Sequence, residues 1–385
     1  MRKILLSVLL AAVLVLSLGA SALGASADEI TAEAYASMTP EELLEKLNFA
    51  DPDHLTAEEY IRLIETYRFV DIDYQKLNLT NTWSITDQIR DKNIKFSYEE
   101  YPECKSELMA SEYPQVRAVA YEQVFGIFGA DSADLDAAIS ALAQETDPYC
   151  LYVAVKAVGN EMNKRKEIAD FIFRMADHEN PLIRRRTTTY IGSSRAAEVD
   201  GTIEKLIAMM SDEDQSVREA ACEAAGDQHN EAVIEPLVAI LNNPEEAEIH
   251  GAAIDGLSTL WLDYPYHKHA SEAAYRATLD YYSVKPRTDK IPAWSGIPEF
   301  NMINQNKFSE WPGKDTWFDA DEFFGVMADV IADPDMNWLG KEPAMKAILV
   351  LCPEKWPELE PIMSTVDNEK VLSLYEKLKE KAGNP

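Results

Sequence analysis

The chain has 385 residues, of which 67 are acidic and 36 basic, so its net charge is −31 at neutral pH. Apolar residues make up 46% of the chain, an ordinary share for a folded protein, which argues against a disordered acidic tail. The negative charge argues against nucleic acid or an anionic membrane surface as a partner, because both attract Lys and Arg. Two explanations of the charge stay open: solubility through mutual repulsion, or an acidic face for a basic partner or cations.

The first residues predict a secretory signal peptide. A basic start and the apolar run 4–18 precede small residues at 25–27, which predict cleavage after Ala27. Loss of residues 1–27 removes two positive charges and no negative one, which changes the net charge from −31 to −33. No later stretch approaches the roughly 20 apolar residues that span a bilayer. We therefore expect a secreted protein, extracellular or periplasmic, without a membrane span.

Residues 28–112 predict a helical cap that lies outside the repeat pattern of the residues that follow. Thr39 with Glu42, and Thr56 with Glu59, form two capping boxes, each of which predicts the start of a helix. A stack of helical repeats must cover its first core-facing row, so an atypical N-terminal cap is the expected arrangement.

From residue 113 to residue 262 one pattern recurs in five copies, at offsets of about 34, 33, 34 and 32 residues. Each copy has a turn, then a small or aliphatic residue followed by Arg or a substitute, and Gly about nine positions on. The residues that begin the pattern are Val116, Cys150, Ile183, Val217 and Ile249. The Arg position holds Arg117, Arg184 and Arg218, and the Gly position holds Gly126, Gly159, Gly192 and Gly226. A fixed period of this length predicts stacked pairs of short helices.

This pattern resembles a HEAT-like repeat array, with short repeats similar to those of the bilin-lyase-like family, over residues 113–262. The resemblance implies an all-α fold, a HEAT-like α-solenoid of helix pairs, with a long surface that suits recognition of a protein or peptide. It also implies that each repeat Arg pairs with a turn acid of a neighbouring copy. The acids placed to do so are Asp147, Asp177, Asp212 and Asp214. Chromophore chemistry is a poor match for an exported chain, so we expect no cofactor.

A dense basic cluster begins at Arg184 and continues with Arg185 and Arg186. Because Arg184 is expected to pair within the repeats, Arg185 and Arg186 are the candidates for binding an anionic group. Structural pairing is the alternative to ligand binding at the repeat Arg positions.

Residues 263–385 predict a C-terminal helical module with a long aromatic loop at 283–318. The expected helices span about 267–282, 319–332, 342–351 and 367–381. A loop of this length is usually functional or disordered, and its aromatic content favours an ordered segment. The candidate binding residues are Trp294, Trp311, Trp317 and Phe318. Aromatic rings make good binding anchors, and the alternative is that these rings plug the open end or groove of the solenoid.

The four cysteines are Cys104, Cys150, Cys222 and Cys352. Cys150 and Cys222 lie two repeats apart on first helices, so their separation exceeds the ~7 Å limit between bridged Cα atoms. We expect both to be small buried residues. A bridge between Cys104 and Cys150 stays conceivable.

The sequence contains no strong metal or catalytic motif. His267, His269 and His250 form a histidine group, but side chains two positions apart on a helix point in different directions. The acidic segments 131–136 and 319–322 lack the Gly and the distal Glu of an EF-hand loop, and helix capping explains them as well as weak Ca²⁺ binding does. We expect no metal and no catalytic residue.

These patterns together predict a non-catalytic, exported binding scaffold that recognises a protein or peptide, at or outside the cell surface, with its repeat surface. One alternative is carbohydrate or cell-wall binding through the loop 283–318. The other is an enzyme with an unrecognised site in the same loop.

Overall fold

The computed structural model describes residues 30–51, 55–81, 83–91, 107–125, 132–262, 270–283, 311–336 and 338–382. The chain divides into two compact units, residues 1–158 and 159–385. The division falls inside the predicted repeat range, between the first and second helices of the second copy. In the described residues, the helices are joined by turns and short loops, and the strands form one short hairpin. The predicted fold class, all-α with a HEAT-like α-solenoid of helix pairs, is confirmed.

The described helices of unit 1 are short and belong partly to the cap and partly to the first repeats. They are α1 (Ala32–Ser37), α2 (Pro40–Leu47), α3 (Ala57–Glu65), α4 (Ile85–Asp91), α5 (Pro114–Phe125), α6 (Ser132–Leu142) and α7 (Pro148–Val158). Both predicted capping boxes are present. Thr39 and Thr56 each accept the backbone N–H three residues on, and the Glu there accepts the N–H of the Thr. Helices α5 and α7 pack side by side as successive first helices.

A hairpin interrupts the region that the sequence predicts as a helical cap. Strand β1 (Ile72–Asp73) pairs antiparallel with β2 (Asn78–Leu79). The Asp73 carboxylate accepts the backbone N–H groups two and three residues on, and Leu77 adopts a left-handed φ of 49°. The helical prediction is wrong here because this side-chain-to-backbone bonding offers the chain an alternative to helix formation.

Unit 2 contains the later repeats and the C-terminal module. Its repeat helices are α8 (Lys166–Ala176), α9 (Pro181–Ile191), α10 (Thr202–Met209), α11 (Gln215–Ala224), α12 (Ile234–Leu241) and α13 (His250–Leu262), and α14 (Glu272–Ser283) follows them as the first described helix of the C-terminal module. The first helices α9, α11 and α13 pack against one another in that order. The second helices place apolar side chains beneath them, among which Ile172, Leu206 and Leu237 are fully buried.

The repeat glycines allow the first helices to approach one another closely. A Cβ atom added to Gly192 would lie 2.4 Å from the Cβ of Ala224, and one added to Gly226 would lie 2.4 Å from the Cβ of Thr259. No side chain fits into such a gap, so Gly is required by contact with the next copy. Gly159 meets the ring of Tyr190 in the same way. Gly126 lies outside the described residues.

The C-terminal module contains α15 (Ala320–Ala332), α16 (Trp338–Leu351), α17 (Glu360–Met363) and α18 (Glu369–Ala382). Helix α16 packs on both α15 and α18, and it begins four residues before the predicted start. The Asp319 carboxylate accepts the N–H groups of Asp321 and Glu322, so this acidic segment caps α15. Within the described residues, no helix has both the length and the apolar character to cross a membrane.

Candidate interaction surface

Arg184 joins two turns of unit 2 through one guanidinium. It donates to both carboxylate oxygens of Asp212, from Nε at 2.8 Å and from Nη2 at 2.8 Å. Its Nη1 donates to the carbonyl oxygens of His178 at 2.8 Å and Glu179 at 3.0 Å. The side chains of the pair are only 8% and 11% exposed. The turn before α9 is thereby tied to the turn before α11 by four charge-assisted bonds.

The same arrangement recurs at the other two repeat Arg residues. Arg117 pairs with Glu145 in unit 1 and Arg218 pairs with Glu246 in unit 2, and in both the acid lies 28 residues after the Arg. In both, Nη1 also donates to the two carbonyl oxygens five and six residues before the Arg. These guanidinium groups therefore serve the structure, and the repetition explains why the sequence repeats Arg.

Among the four acids predicted to pair with the repeat Arg residues, Asp212 alone does so. Asp147 and Asp214 instead cap α7 and α11 by accepting backbone N–H groups of the first turn. Asp177 pairs with Lys205 at 2.8 Å. The pairing acid lies two residues before each of these caps, and the sequence pattern did not distinguish two acids so close together.

His250 occupies the Arg position of the fifth copy and makes similar links. Its Nε2 lies 3.0 Å from the carbonyl oxygen of Asn243, and its Nδ1 lies 3.2 Å from the hydroxyl of Tyr281. Both ring nitrogens are therefore engaged within the protein. His267 and His269 lie outside the described residues. In the part of the chain that the structure describes, no three His, Cys, Asp or Glu side chains are grouped so as to hold a metal ion.

The predicted aromatic anchors pack against the repeat helices of unit 2. Trp311 is 3% exposed, and its indole N–H donates to the carbonyl oxygen of Trp261 at 2.7 Å. The Trp317 ring centroid lies 4.9 Å from those of Trp311 and Tyr275, and Phe318 lies 5.5 Å from Trp311. Trp311 is therefore a core residue, and its prediction as an exposed anchor is wrong because the ring and its N–H are both used internally.

Trp317 and Phe318 are half-buried in the same cluster, which matches the packing alternative for these rings. Trp294 lies outside the described residues, so its predicted role stays a prediction. Burial of this kind was not visible in the sequence, because the partner rings come from α13 and α14, far away along the chain.

Arg185 and Arg186 do not form one basic site. Arg185 is exposed on α9 and faces Glu223 on α11, where burial and the Glu219 carboxylate raise the pKa of Glu223 and Arg185 opposes that rise. The guanidinium of Arg186 is half-buried and lies 5.8 Å from the ring centroid of Tyr190. The predicted anion site thus adjoins a surface that is mainly negative.

The first helices of the fourth and fifth copies present an acidic surface. Residues 212–262 contain twelve Asp and Glu but one basic side chain, Arg218, which is paired with Glu246. Glu219 and Glu223 lie one turn apart on α11, and Asp255 takes on α13 the repeat position that Glu223 takes on α11. Glu223 and Asp255 are exposed, and Glu219 is half-buried. We name Glu219, Glu223 and Asp255 the acidic repeat face.

The described cysteines are poor nucleophiles. Cys150, Cys222 and Cys352 are free and buried. Burial is the largest cause that raises the pKa of Cys222 and of Cys352 to about 12, and it also raises the pKa of Cys150. These groups stay thiols at neutral pH, whereas attack requires the thiolate. Cys104 lies outside the described residues.

Comparison with known proteins supports the repeat class of this fold. Residues 170–258, a minority of the chain, match the family model of HEAT repeats. A search of curated proteins found no significant match. Among solved structures, a match is the crystal structure of an engineered protein, 14% identical, which covers 90% of this chain and 100% of that chain with a TM-score of 0.35. So weak a likeness carries no argument about function, and the finer resemblance to bilin-lyase-like repeats stays a prediction.

Proposed function

We propose that this protein is a non-catalytic, exported scaffold that binds a basic segment of a partner protein through the acidic repeat face. The observation that carries the proposal is the charge of residues 212–262, twelve carboxylates against one basic side chain. That one side chain, Arg218, is committed to Glu246. A basic segment is therefore the partner that this surface complements best.

The use of the pattern residues supports a scaffold role. The repeat Arg and Gly residues point into contacts between copies, where they hold turns and helices together. Glu219, Glu223 and Asp255 are not among the residues that these Arg and Gly residues contact, and we infer that they specify a partner. Similarity to HEAT repeats over residues 170–258 agrees with this role, since such repeats generally mediate protein interaction.

The acidic repeat face is costly for the protein alone, which favours a partner over solubility as its explanation. Glu219 and Glu223 are like charges at i and i+4, an arrangement that destabilises a helix by about 0.2–0.5 kcal/mol. Although the Glu223 side chain as a whole is exposed, partial desolvation of its carboxylate and the Glu219 charge raise its pKa against the opposing effect of Arg185, so its charged form is disfavoured where it lies. A Lys or Arg side chain placed between these carboxylates would relieve both effects.

The test is binding of a Lys- and Arg-rich peptide to the chain from Asp28, measured by fluorescence anisotropy. The variant Glu219→Gln, Glu223→Gln, Asp255→Asn should bind about tenfold more weakly, because exposed ion pairs contribute roughly 0.2–1 kcal/mol each. The control Glu369→Gln, Glu376→Gln, Glu380→Gln removes three exposed acids of α18 in the same unit and should change the Kd less than twofold. Equal losses in both variants would show attraction to net charge alone and would overturn the proposal.

A further inference from the structure

A cleft on the surface of unit 1 lies beside Arg117, the first repeat Arg. Its volume is about 470 Å³, which falls within the range of pockets that hold small molecules. Arg117, Tyr121 and Glu145 contribute polar groups to its lining. Met109 and Ala137 contribute apolar surface. The cleft therefore offers both kinds of contact that a small ligand uses.

An ion pair that joins two segments of the third copy has no counterpart at this cleft. In the third copy, Nζ of Lys205 lies 2.8 Å from Oδ2 of Asp177. The residues 67 positions earlier, at the same places of the first copy, are Ala138 and Ala110. Ala110 lines the cleft, and two alanines cannot form such a bridge. The space therefore stays open in the first copy.

One N–H group of Arg117 has no partner among the described residues. A guanidinium carries five N–H donors. Nε and one N–H of Nη2 donate to Glu145 at 2.8 and 3.0 Å, and Nη1 donates to the carbonyl oxygens of Ser111 and Glu112 at 2.9 and 3.2 Å. The second N–H of Nη2 is left over, on a side chain that lines the cleft.

A carboxylate faces the corresponding nitrogen in the third copy but not in the first. Oε1 of Glu213 lies 3.5 Å from Nη2 of Arg184, and the residue at the same place of the first copy is Thr146. Thr146 is exposed and lines the cleft. A ligand with an acceptor group can therefore take the place that Glu213 takes in the third copy.

The cleft offers a donor but no net charge. The Glu145 side chain is 4% exposed. Its oxygens accept from five donors, namely two N–H groups of Arg117, the Tyr121 hydroxyl and the backbone N–H groups of Thr146 and Asp147. A carboxylate has about four acceptor sites, so Glu145 has none left for a ligand. Burial opposes ionisation of Glu145, but the bonds from Arg117 and the backbone outweigh it and hold its pKa below the usual value, so the pair is ionised and neutral overall.

A neutral ligand fits these groups best. The net charge of −31 repels an anion, and a cation cannot use a donor. Gln144 lines the cleft and is exposed, and its side-chain amide has no partner in the described part of the chain, so it can accept an N–H. Met109 and Ala137 supply the apolar surface. A carbonyl oxygen, an N–H and an apolar group together define an amide with an apolar side group.

We propose that this cleft binds a small neutral amide, whose carbonyl oxygen accepts the remaining N–H of Arg117 and whose apolar group packs on Met109. Two sources supply this chemistry: one apolar residue within a peptide, and a free acyl amide. The site lies in unit 1 and its ligand is uncharged, so it does not depend on the acidic repeat face and the two proposals fail separately.

The experiment follows the methyl signal of Met109 by NMR in the chain from Asp28, with the signal assigned by Met109→Leu. The probe is N-acetyl-leucinamide, and we expect a Kd in the millimolar range for a ligand of this size. N-acetyl-leucine is an anion and leucinamide a cation at about pH 6. Both charged probes, and N-acetyl-glycinamide without the apolar group, should bind about fivefold more weakly or worse.

Variants locate the binding. Thr146→Glu places a carboxylate where the third copy has Glu213 and should weaken binding of the neutral amide about tenfold, because it occupies the remaining N–H of Arg117. Ala137→Leu fills the cleft and should weaken binding by a similar factor. Ser140→Leu adds the same side chain at an exposed position of α6 outside the cleft, and it should change the Kd less than twofold. All three positions are exposed, so the melting temperatures should stay within about 2 °C of the parent.

A tripeptide with a central Leu and blocked ends distinguishes the two sources. Binding at least as tight as that of the single amide supports a peptide segment as the ligand, and weaker binding supports a free amide. Three results would overturn the inference: no shift of the Met109 methyl signal with the neutral amide, equally tight binding of either charged probe, or unchanged binding by both Thr146→Glu and Ala137→Leu.

Discussion

At each repeat Arg, one guanidinium joins two turns by hydrogen bonds. The pair of this Arg with its carboxylate partner therefore contributes more to the structure than the attraction between two charges alone. Arg184 uses Nε, Nη1 and Nη2 in hydrogen bonds to two turns, with its side chain only 8% exposed. A Lys could offer one ammonium but not this fork. Removing one partner leaves the other buried and uncompensated, which costs more than the pair contributes as a whole.

Arg184→Leu should therefore lower the free energy of unfolding by about 3 kcal/mol. The double variant Arg184→Leu, Asp212→Asn should recover part of this loss, because Asp212 is no longer a buried unpaired charge. Lys166→Ala removes an exposed pair with Asp170 and should cost less than about 1 kcal/mol. Urea unfolding of the parent and the three variants gives these values. If Arg184→Leu lowers the free energy of unfolding no more than Lys166→Ala does, the structural role of Arg184 is contradicted.

The same pair predicts a pH dependence of stability. Burial of Asp212 opposes ionisation, but the hydrogen bonds from Arg184 and the backbone outweigh it, so the pKa of Asp212 lies below its usual value. The ionised Asp212 contributes to the free energy of unfolding in full above its unfolded pKa of about 3.9. This contribution is lost as pH falls through the lower folded pKa. Asp212→Asn should flatten the fall of the unfolding free energy below about pH 4, as measured by urea titration at each pH.

Lys341 predicts a pH dependence of the opposite sign, in which the stability of the protein increases as pH rises. It is buried on α16, and burial lowers its pKa while Asp333 opposes the change. The folded chain holds the proton of the Lys341 ammonium less tightly than the unfolded chain does. The charged side chain therefore lowers the free energy of unfolding in full below the folded pKa, and this loss disappears as pH rises to the unfolded pKa near 10.4. Lys341→Met should stabilise the protein by about 1–2 kcal/mol at pH 7 and by less at pH 10. Lys346→Met on the same helix, where Lys346 pairs with Glu342, should show no such gain.

At the scale of elements, close helix contact explains the repeat glycines. Gly192→Ala would place a Cβ 2.4 Å from the Cβ of Ala224, so we expect a loss of about 1–3 kcal/mol in the free energy of unfolding. Gly325→Ala is the matched control. Gly325 is a helical glycine in α15 with open space around its missing side chain, and Ala there should stabilise by about 0.4–1 kcal/mol. Thermal or urea unfolding measures both changes in the free energy of unfolding. A loss for Gly192→Ala and a gain for Gly325→Ala would support the contact argument, and changes of the same sign would refute it.

Periodicity made much of the fold predictable. Among the described residues, each repeat Arg and Gly contacts residues of the next copy, so the spacing of the sequence pattern reports contacts in the folded structure. Residue contacts that do not follow the repeat spacing were not predicted from the sequence. The burial of Trp311 depends on Trp261, which lies 50 residues earlier in the chain. The choice of Glu145 over Asp147 as the acid for Arg117 depends on a two-residue difference in a turn.

At the scale of the whole molecule, the net charge should make folding and binding respond to salt in opposite ways. The net charge of −31 repels itself in the folded protein, and added salt screens this repulsion. The free energy of unfolding should therefore increase as salt increases to roughly 0.3 M, and the melting temperature should rise by about 2–4 °C for each kcal/mol of that increase. The Kd for a basic peptide should weaken over the same range. Calorimetry and anisotropy on one sample series test this, and parallel trends would contradict it.

Hydrogen–deuterium exchange of the chain from Asp28, with and without a Lys- and Arg-rich peptide, tests the central claim most directly. The account predicts that the peptide slows exchange in α11 and α13, the helices of the acidic repeat face, and in the turns before them. It predicts that the variant Glu219→Gln, Glu223→Gln, Asp255→Asn loses this protection. Protection confined to α15–α18, or no protection at peptide concentrations that saturate binding, would show that the repeat surface does not hold the partner.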